Sequence, residues 1–300
     1  MKKNRNMKKS EKEQKPFANY SAAGTFRKIL KYPITRKGVF PLISTVLSNF
    51  FIIQQKQKLK ISHIPVVHVD HKLDAQIPFI PKKVNIYLDF IWFIARTLNM
   101  LFAKIEEQKA VDALAGFENF FAELYKKAGS VYSTVLTTTD RPKYFGTPRF
   151  VLIHAFDPHL LCVPSLHVSI VAGTYAFVRK IFEQCDINSY EKKEILEKSL
   201  FGALRITESV LFVKQHSINC VAGALYMLTT AHPQGFWTEK DTENFVDLLF
   251  KDSNDIFPSD VIEIRNYIKE TYKKLLKDRE KSQTWQQPIY NWMKNYKEQR

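Results

Sequence analysis

The chain has 300 residues, 45% of them hydrophobic and 25% charged, with 13 Pro, 9 Gly and 3 Cys. That composition excludes a collagen-like or wholly disordered chain, and three cysteines without C-x-x-C spacing exclude a disulfide scaffold and a zinc knuckle. The net charge of +15 sits at the ends: residues 1–37 carry a net +10, residues 264–300 a net +6, and the body between them −1.

In chain order, residues 1–25 read as a disordered basic tail, too polar for a cleavable signal peptide. Basic ends suit anionic lipid headgroups or nucleic-acid phosphates, or are solvated tails with no partner. No nucleic-acid-binding signature is present, so nucleic acid is not expected. Residues 26–235 read as a helical bundle and 236–300 as a C-terminal amphipathic helical extension. Residues 38–55 form a charge-free apolar stretch preceded by the basic run 27–37. Residues 61–83, rich in Pro, His and Val, read as extended chain or loop. Residues 84–103 are strongly apolar but carry Asp89 and Arg96. Residues 111–127 place Ala113, Phe117, Phe120, Phe121 and Leu124 on one helical face. Residues 137–158 hold Pro142, Gly146, Pro148 and Pro158 and read as loop. Two more charge-free stretches follow, 158–178 and 215–238, with a helix over 189–213 between them, N-capped by Ser189. Amphipathic helices are expected over 242–250 and 260–277. The fold class is all-α.

Apolar stretches of this length can cross a bilayer, although buried helices of a soluble bundle have the same composition. The mean hydropathy of −0.25 is low for several spans. The basic run before residue 38 resembles a cytoplasmic flank. The expectation is a membrane-associated protein, its basic termini against an anionic membrane surface and its N-terminal tail cytoplasmic.

Two histidine segments carry the chemistry. In the first, Pro164 suits a helix start, which puts His167 in the opening turn. Ser165 and the free backbone N–H groups there suit an anion. In the second, Lys214 and His216 flank Gln215 in apolar surroundings and need partners. An anion shared by both segments would satisfy them. At a phosphate centre one histidine attacks phosphorus and the other protonates the leaving oxygen.

The strings PSLHV (164–168) and KQH-x-x-x-x-V-A-G (214–223) resemble the type 2 phosphatidic acid phosphatase and vanadium haloperoxidase superfamily. PSLH and KQH resemble in particular its inositol-phosphoceramide-synthase-like branch. The resemblance implies a helical bundle with its site at helix ends. It implies His216 as nucleophile, His167 as general acid and Ser165 as a phosphate ligand. Arg141-Pro142 matches the end of the Lys-x6-Arg-Pro motif, with Thr134 in the Lys slot, which makes Arg141 a phosphate-ligand candidate. Ser209 matches the start of the third motif, Val210 stands where Arg is usual, and Lys214 is the substitute charge. Cys220 stands where the motif has the Asp that orients the nucleophile. Four residues after His216, it is expected to face that histidine without replacing a carboxylate.

The implied function is a lipid phosphate phosphatase or a headgroup phosphotransferase with a phosphohistidine intermediate and a lipid phosphate substrate. The alternative is a catalytically degenerate member that binds phosphate or anionic lipid. No metal or organic cofactor is expected, and haloperoxidase activity is disfavoured by the incomplete cationic set. His63, His68, His71, Asp70 and Asp74 are weaker candidates as metal ligands because their spacing is irregular. His154, Asp157 and His159 read as a polar loop leading into the site. Glu208 and Asp157 are the nearby acids.

Overall fold

The computed structural model describes residues 15–296. The helices are α1 (Ala22–Lys31), α2 (Pro33–Val46), a π-helical turn (Leu47–Phe51), α3 (Ile52–Lys58), α4 (Val84–Tyr87), α5 (Phe90–Lys104) and α6 (Glu107–Tyr132). They continue with α7 (Pro148–Phe156), α8 (Leu166–Glu183), α9 (Ser189–Phe212), α10 (Ile218–Thr230), α11 (Glu239–Leu248), α12 (Pro258–Arg279) and α13 (Gln287–Asn295). Helix makes up 69% of the described residues, in line with the expected all-α class. The one sheet among the described residues is a short parallel pair, β1 (Val66–His68) with β2 (Leu136–Thr138), in register Val67 to Thr137. It joins the two segments expected to be loops, 61–83 and 137–158, and Thr137 also bridges Leu161.

Helix α8 is the centre of the bundle. It packs along α9 and against α6 and α10, and most of its residues are buried. The close approach to α6 needs Gly173, where a Cβ would lie 2.4 Å from Phe120 Cζ. The expected face of α6 turns inward: Ala113, Phe117 and Leu124 are buried, and Phe120 and Phe121 are packed against the core. Helix α9 starts at Ser189 as expected, but its cap is Asn188, whose side chain accepts from the N–H groups of Tyr190 and Glu191. Helix α11 starts earlier than expected because Thr238 and Asp241 form a reciprocal capping box.

Of the four long apolar stretches, two form helices long and apolar enough to cross a membrane, Pro33–Lys58 and Pro81–Lys104. They differ in surroundings. Only 6% of the first apolar window is buried, against 56% of the second. The first leaves Phe40, Ile43, Leu47 and Ile52 exposed. In the second, the two interrupting charges neutralise each other: Arg96 donates to both oxygens of Asp89 at 3.1 and 2.6 Å. The other two stretches, 158–178 and 215–238, contribute the interior helices α8 and α10. They are apolar because they are core, which is the soluble-bundle reading for those segments.

Two expected boundaries move. Residues 1–14 of the expected tail lie outside the described residues. From residue 15 the chain is packed: Phe17 is buried and stacks 6.4 Å from Phe93, and α1 begins at Ala22. Residues 236–296 are no separate extension. Trp237, Phe245, Ile264 and Tyr272 belong to the main core, and α12 packs along α10.

Candidate functional site

Residue Ser165 is the N-cap of α8, and its Oγ accepts from the Val168 N–H at 3.4 Å. The approach is held by Thr137 of β2, whose Oγ1 accepts from the N–H groups of Cys162 and Val163 at 3.0 and 2.7 Å. Tyr132 donates to the Pro164 carbonyl at 2.5 Å. This leaves His167 in the first turn of α8. Its ring lies 4.9 Å from Tyr87 and 4.8 Å from Phe90.

Residue His216 sits in the turn between α9 and α10. The turn reverses at Lys214, which adopts a left-handed φ of 55°. It is then anchored from three sides. Ile218 N–H donates to Asp74 Oδ1 at 2.9 Å. Asn219 donates to the Val69 carbonyl at 3.0 Å and to Tyr296 Oη at 2.9 Å. Tyr267 Oη donates to Asn219 Oδ1 at 3.0 Å. The Pro/Val-rich segment 61–83 and the C-terminal helices thus jointly fix the second histidine.

The two histidines meet. His167 Nδ1 and His216 Nε2 are 3.2 Å apart, within hydrogen-bond reach, although 49 positions separate them. Burial lowers the pKa of His167 to about 4, a trend the Asp157 charge opposes. Burial, then the neighbouring His167 and His159, holds His216 well below the ordinary histidine value. Both rings are neutral at pH 7, and one ring N–H lies between them. His216 Nδ1 has no partner in hydrogen-bond geometry among the described residues. The Cys162 backbone is near enough only to oppose the downward shift weakly.

These rings line a small space of about 20 Å³ with Asp157, His159, Gln215 and Phe50. Phe50 comes from the exposed apolar helix. Asp157 and His159 also line an open bay of about 430 Å³ with Lys58, Arg141, Lys143 and His154. Arg141 donates to Asp157 through Nη2, at 3.1 Å to the carbonyl and 3.3 Å to Oδ2. Asp157 also accepts from the His159 N–H at 2.9 Å. Burial pushes the Asp157 carboxyl up, but the His159 contacts and Arg141 outweigh it and hold the group ionised. Burial also lowers the His159 pKa, and His159 Nε2 is 2.7 Å from Thr139 Oγ1.

The sequence-derived candidates divide. His167 and His216 are adjacent, and Arg141 lines the bay that shares Asp157 and His159 with their chamber. Ser165 caps α8 behind His167 and is fully buried. Lys214 points elsewhere: its Nζ donates to the Asp74 carbonyl at 2.5 Å. Ser209 is buried within α9 and donates back to Ile206 at 2.7 Å. Cys220 does not take the expected place. His216 precedes the N-cap Ser217, so the helical i+4 relation does not reach it. The Cys220 sulfur instead accepts from the Ser217 N–H at 3.3 Å, at the third position of α10. Thr134 is exposed and 3.3 Å from Tyr290. Glu208 accepts from the Phe250 N–H at 2.6 Å, and burial pushes its pKa to about 7. The acid in the chamber is therefore Asp157, although it pairs with Arg141 and not with His216 Nδ1.

The segment weighed for metal separates as well. His71 and Asp74 form the cap of a short 3-10 turn, and His71 stacks on Tyr267 at 3.8 Å. His68, Asp70 and Asp140 bring one donor atom each within 4.8 Å of one another. Tyr87 and Phe50, which complete the chamber, carry no signal in the sequence beyond apolar helix. No family model, no curated protein and no solved structure matches the chain.

Proposed function

We propose that the chain is a membrane-associated phosphoesterase that cleaves, or transfers the phosphoryl headgroup of, a lipid phosphate through a phosphohistidine at His216. The observation that carries this reading is the 3.2 Å juxtaposition of His167 and His216 beside a bay rich in cationic side chains. Assigning the shared proton to His167 Nδ1 leaves the lone pair of His216 Nε2 for attack. Phosphorus cannot fit in a 3.2 Å gap or a space of about 20 Å³, so the rings part as substrate enters.

His216 Nε2 forms the bond to phosphorus while the bond to the leaving oxygen breaks. The dianionic phosphate, on entering, brings a proton onto His167, and the imidazolium so formed gives its Nδ1 proton to that oxygen and returns to the neutral ring. Water, or an acceptor hydroxyl, then attacks phosphorus, His167 takes its proton, and His216 is released. Arg141, Lys58 and Lys143 supply positive charge for the phosphoryl oxygens. A lipid is favoured over a soluble ester because Phe50 belongs to a helix whose apolar side is left exposed among the described residues, and because exposed Phe145 lines the bay. Asp157 keeps Arg141 and His159 in place and, through its charge, favours protonation of His167.

A second reading is a phosphate- or anionic-lipid-binding protein without turnover. The His216 Nδ1 without an acid partner favours it, as do Lys214 and Ser209 turned away from the chamber. One assay separates the two: phosphate release from lipid phosphates and lipid pyrophosphates in detergent, compared with His216→Ala. Release that vanishes in the variant is expected. Release no higher than the variant's, from folded protein, leaves the binding reading.

A further inference from the structure

Helix α4 separates the histidine chamber from another cavity. Tyr87 faces the chamber, whereas Asn85, Ile86 and Leu88 line a cleft of about 600 Å³, a volume ordinary for small-ligand sites. We propose that this cleft is a second phosphate-recognition site, for the phosphate of an anionic phospholipid or for free phosphate. This goes beyond the hydrolase reading, because neither His167 nor His216 lines the cleft.

The argument is one of charge. Lys15, Lys82, Lys83, Arg149 and Arg205 all line the cleft, against one carboxylate, Asp89. Asp89 is already engaged by Arg96 through both oxygens, with Lys15 at 3.4 Å as a further partner. Lys83 is paired outward with Asp255 at 2.6 Å. Lys82 and Arg149 are exposed and make no ion pair among the described residues. A cleft with low-dielectric walls and surplus positive charge concentrates anions. Guanidinium and ammonium donors on flexible stems suit phosphate oxygens.

Apart from Asn85, the rest of the lining is apolar. Phe93 and Ile206 are on the wall, and Gly202 contributes no side chain. Trp92, 51% exposed, also lines it and belongs to the second helix long and apolar enough to cross a membrane. A phosphate with an apolar body attached would place the anion on Lys82 and Arg149 and the body along Trp92.

The test uses the full chain carrying His216→Ala, so that turnover cannot interfere. Tryptophan emission is titrated with dihexanoyl phosphatidate, dihexanoyl phosphatidylcholine and inorganic phosphate, with Trp92→Phe as the reference for the cleft. Phosphatidate is expected to give a saturable change that Trp92→Phe removes. Lys82→Glu with Arg149→Glu, both exposed positions, is expected to weaken it at least about tenfold. Inorganic phosphate competing as tightly as phosphatidate supports the site with free phosphate as its source, and weaker competition assigns it to lipid. The proposal is overturned by no saturable binding of either phosphate probe, by equal binding of phosphatidylcholine, or by binding that the charge reversals leave unchanged.

Discussion

Two neutral histidines in contact should make this protein sensitive to mild acid. His167 titrates at about 4 in the folded protein against an ordinary 6.5, because burial penalises its charged form. Between those values the unfolded chain binds a proton that the folded chain does not. Stability therefore falls as pH drops from 7 toward 4 and is flat, for this group, below that. At about 1.4 kcal/mol per pKa unit, the loss between pH 7 and pH 5 is about 2 kcal/mol from His167 alone. Solvent at the accessible edge of its ring makes that figure a ceiling. His216, shifted in the same direction, adds to the loss. Asp74 and Glu208, raised by burial to about 7, act oppositely, since they take up protons more readily in the folded state. They are common to wild type and variant, so a comparison isolates the titration of His167 together with its effect on His216. The perturbation is His167→Gln, which cannot be protonated. Thermal unfolding in detergent at pH 7 and pH 5 is the assay. At about 2 °C per kcal/mol for a chain of this size, the variant's drop in Tm should be about 4 °C smaller than wild type's. A variant as acid-sensitive as wild type would refute the buried neutral pair.

Further expectations follow from named contacts. Arg96→Leu leaves Asp89 buried without its bidentate partner and should cost about 3–5 kcal/mol, read as a lower midpoint in urea. An unchanged midpoint rules out the pair as a structural element. Gly202→Ala puts a Cβ 2.3 Å from Phe93 Cε2, a fully buried ring. Overpacking of about 1–3 kcal/mol should exceed the gain of about 1 kcal/mol in helix propensity, so Tm falls; a rise contradicts the packing of α5 on α9. Cys220→Asp should give no gain in phosphate release, because position 220 faces Ser217 and not His216. A several-fold gain would show that the acid reaches the histidine.

Much of the helical framework was legible in the sequence because period and capping are local. The inward face of α6 followed from Ala113, Phe117 and Leu124 at helical spacing. The start of α9 at Ser189 is legible but its cap is not, since Asn188 and Ser189 are both good caps and only the backbone decides between them. The apolar stretches were ambiguous for a physical reason: hydropathy does not distinguish a helix buried by protein from one left to other apolar surroundings. Thus 158–178 and 38–55 read alike, yet α8 is the core and α2 is not. At the site, the resemblance named His167 and His216 residue by residue, and their contact depends on a fold that no spacing encodes. The sequence places Cys220 and Lys214 beside His216 only if a helix runs through that histidine. The chain instead reverses at Lys214, a left-handed residue that no Gly or Asn marked. Asp157 stands in the sequence as one of two nearby acids; what selects it over Glu208, and makes Phe50 and Tyr87 walls of the chamber, is tertiary packing.

The anchoring of Asn219 has a consequence for the order in which the molecule is completed. During synthesis the histidine turn leaves the ribosome well before α12 and α13 exist, and domains form from the N-terminus as they emerge. At that moment Asn219 can reach Val69, but Tyr267 and Tyr296 are still untranslated. The nascent bundle therefore carries both histidines with one side of the second turn unfastened. The turn gains its last two hydrogen bonds, to Tyr267 and Tyr296, only once α12 and the residue after α13 have been made.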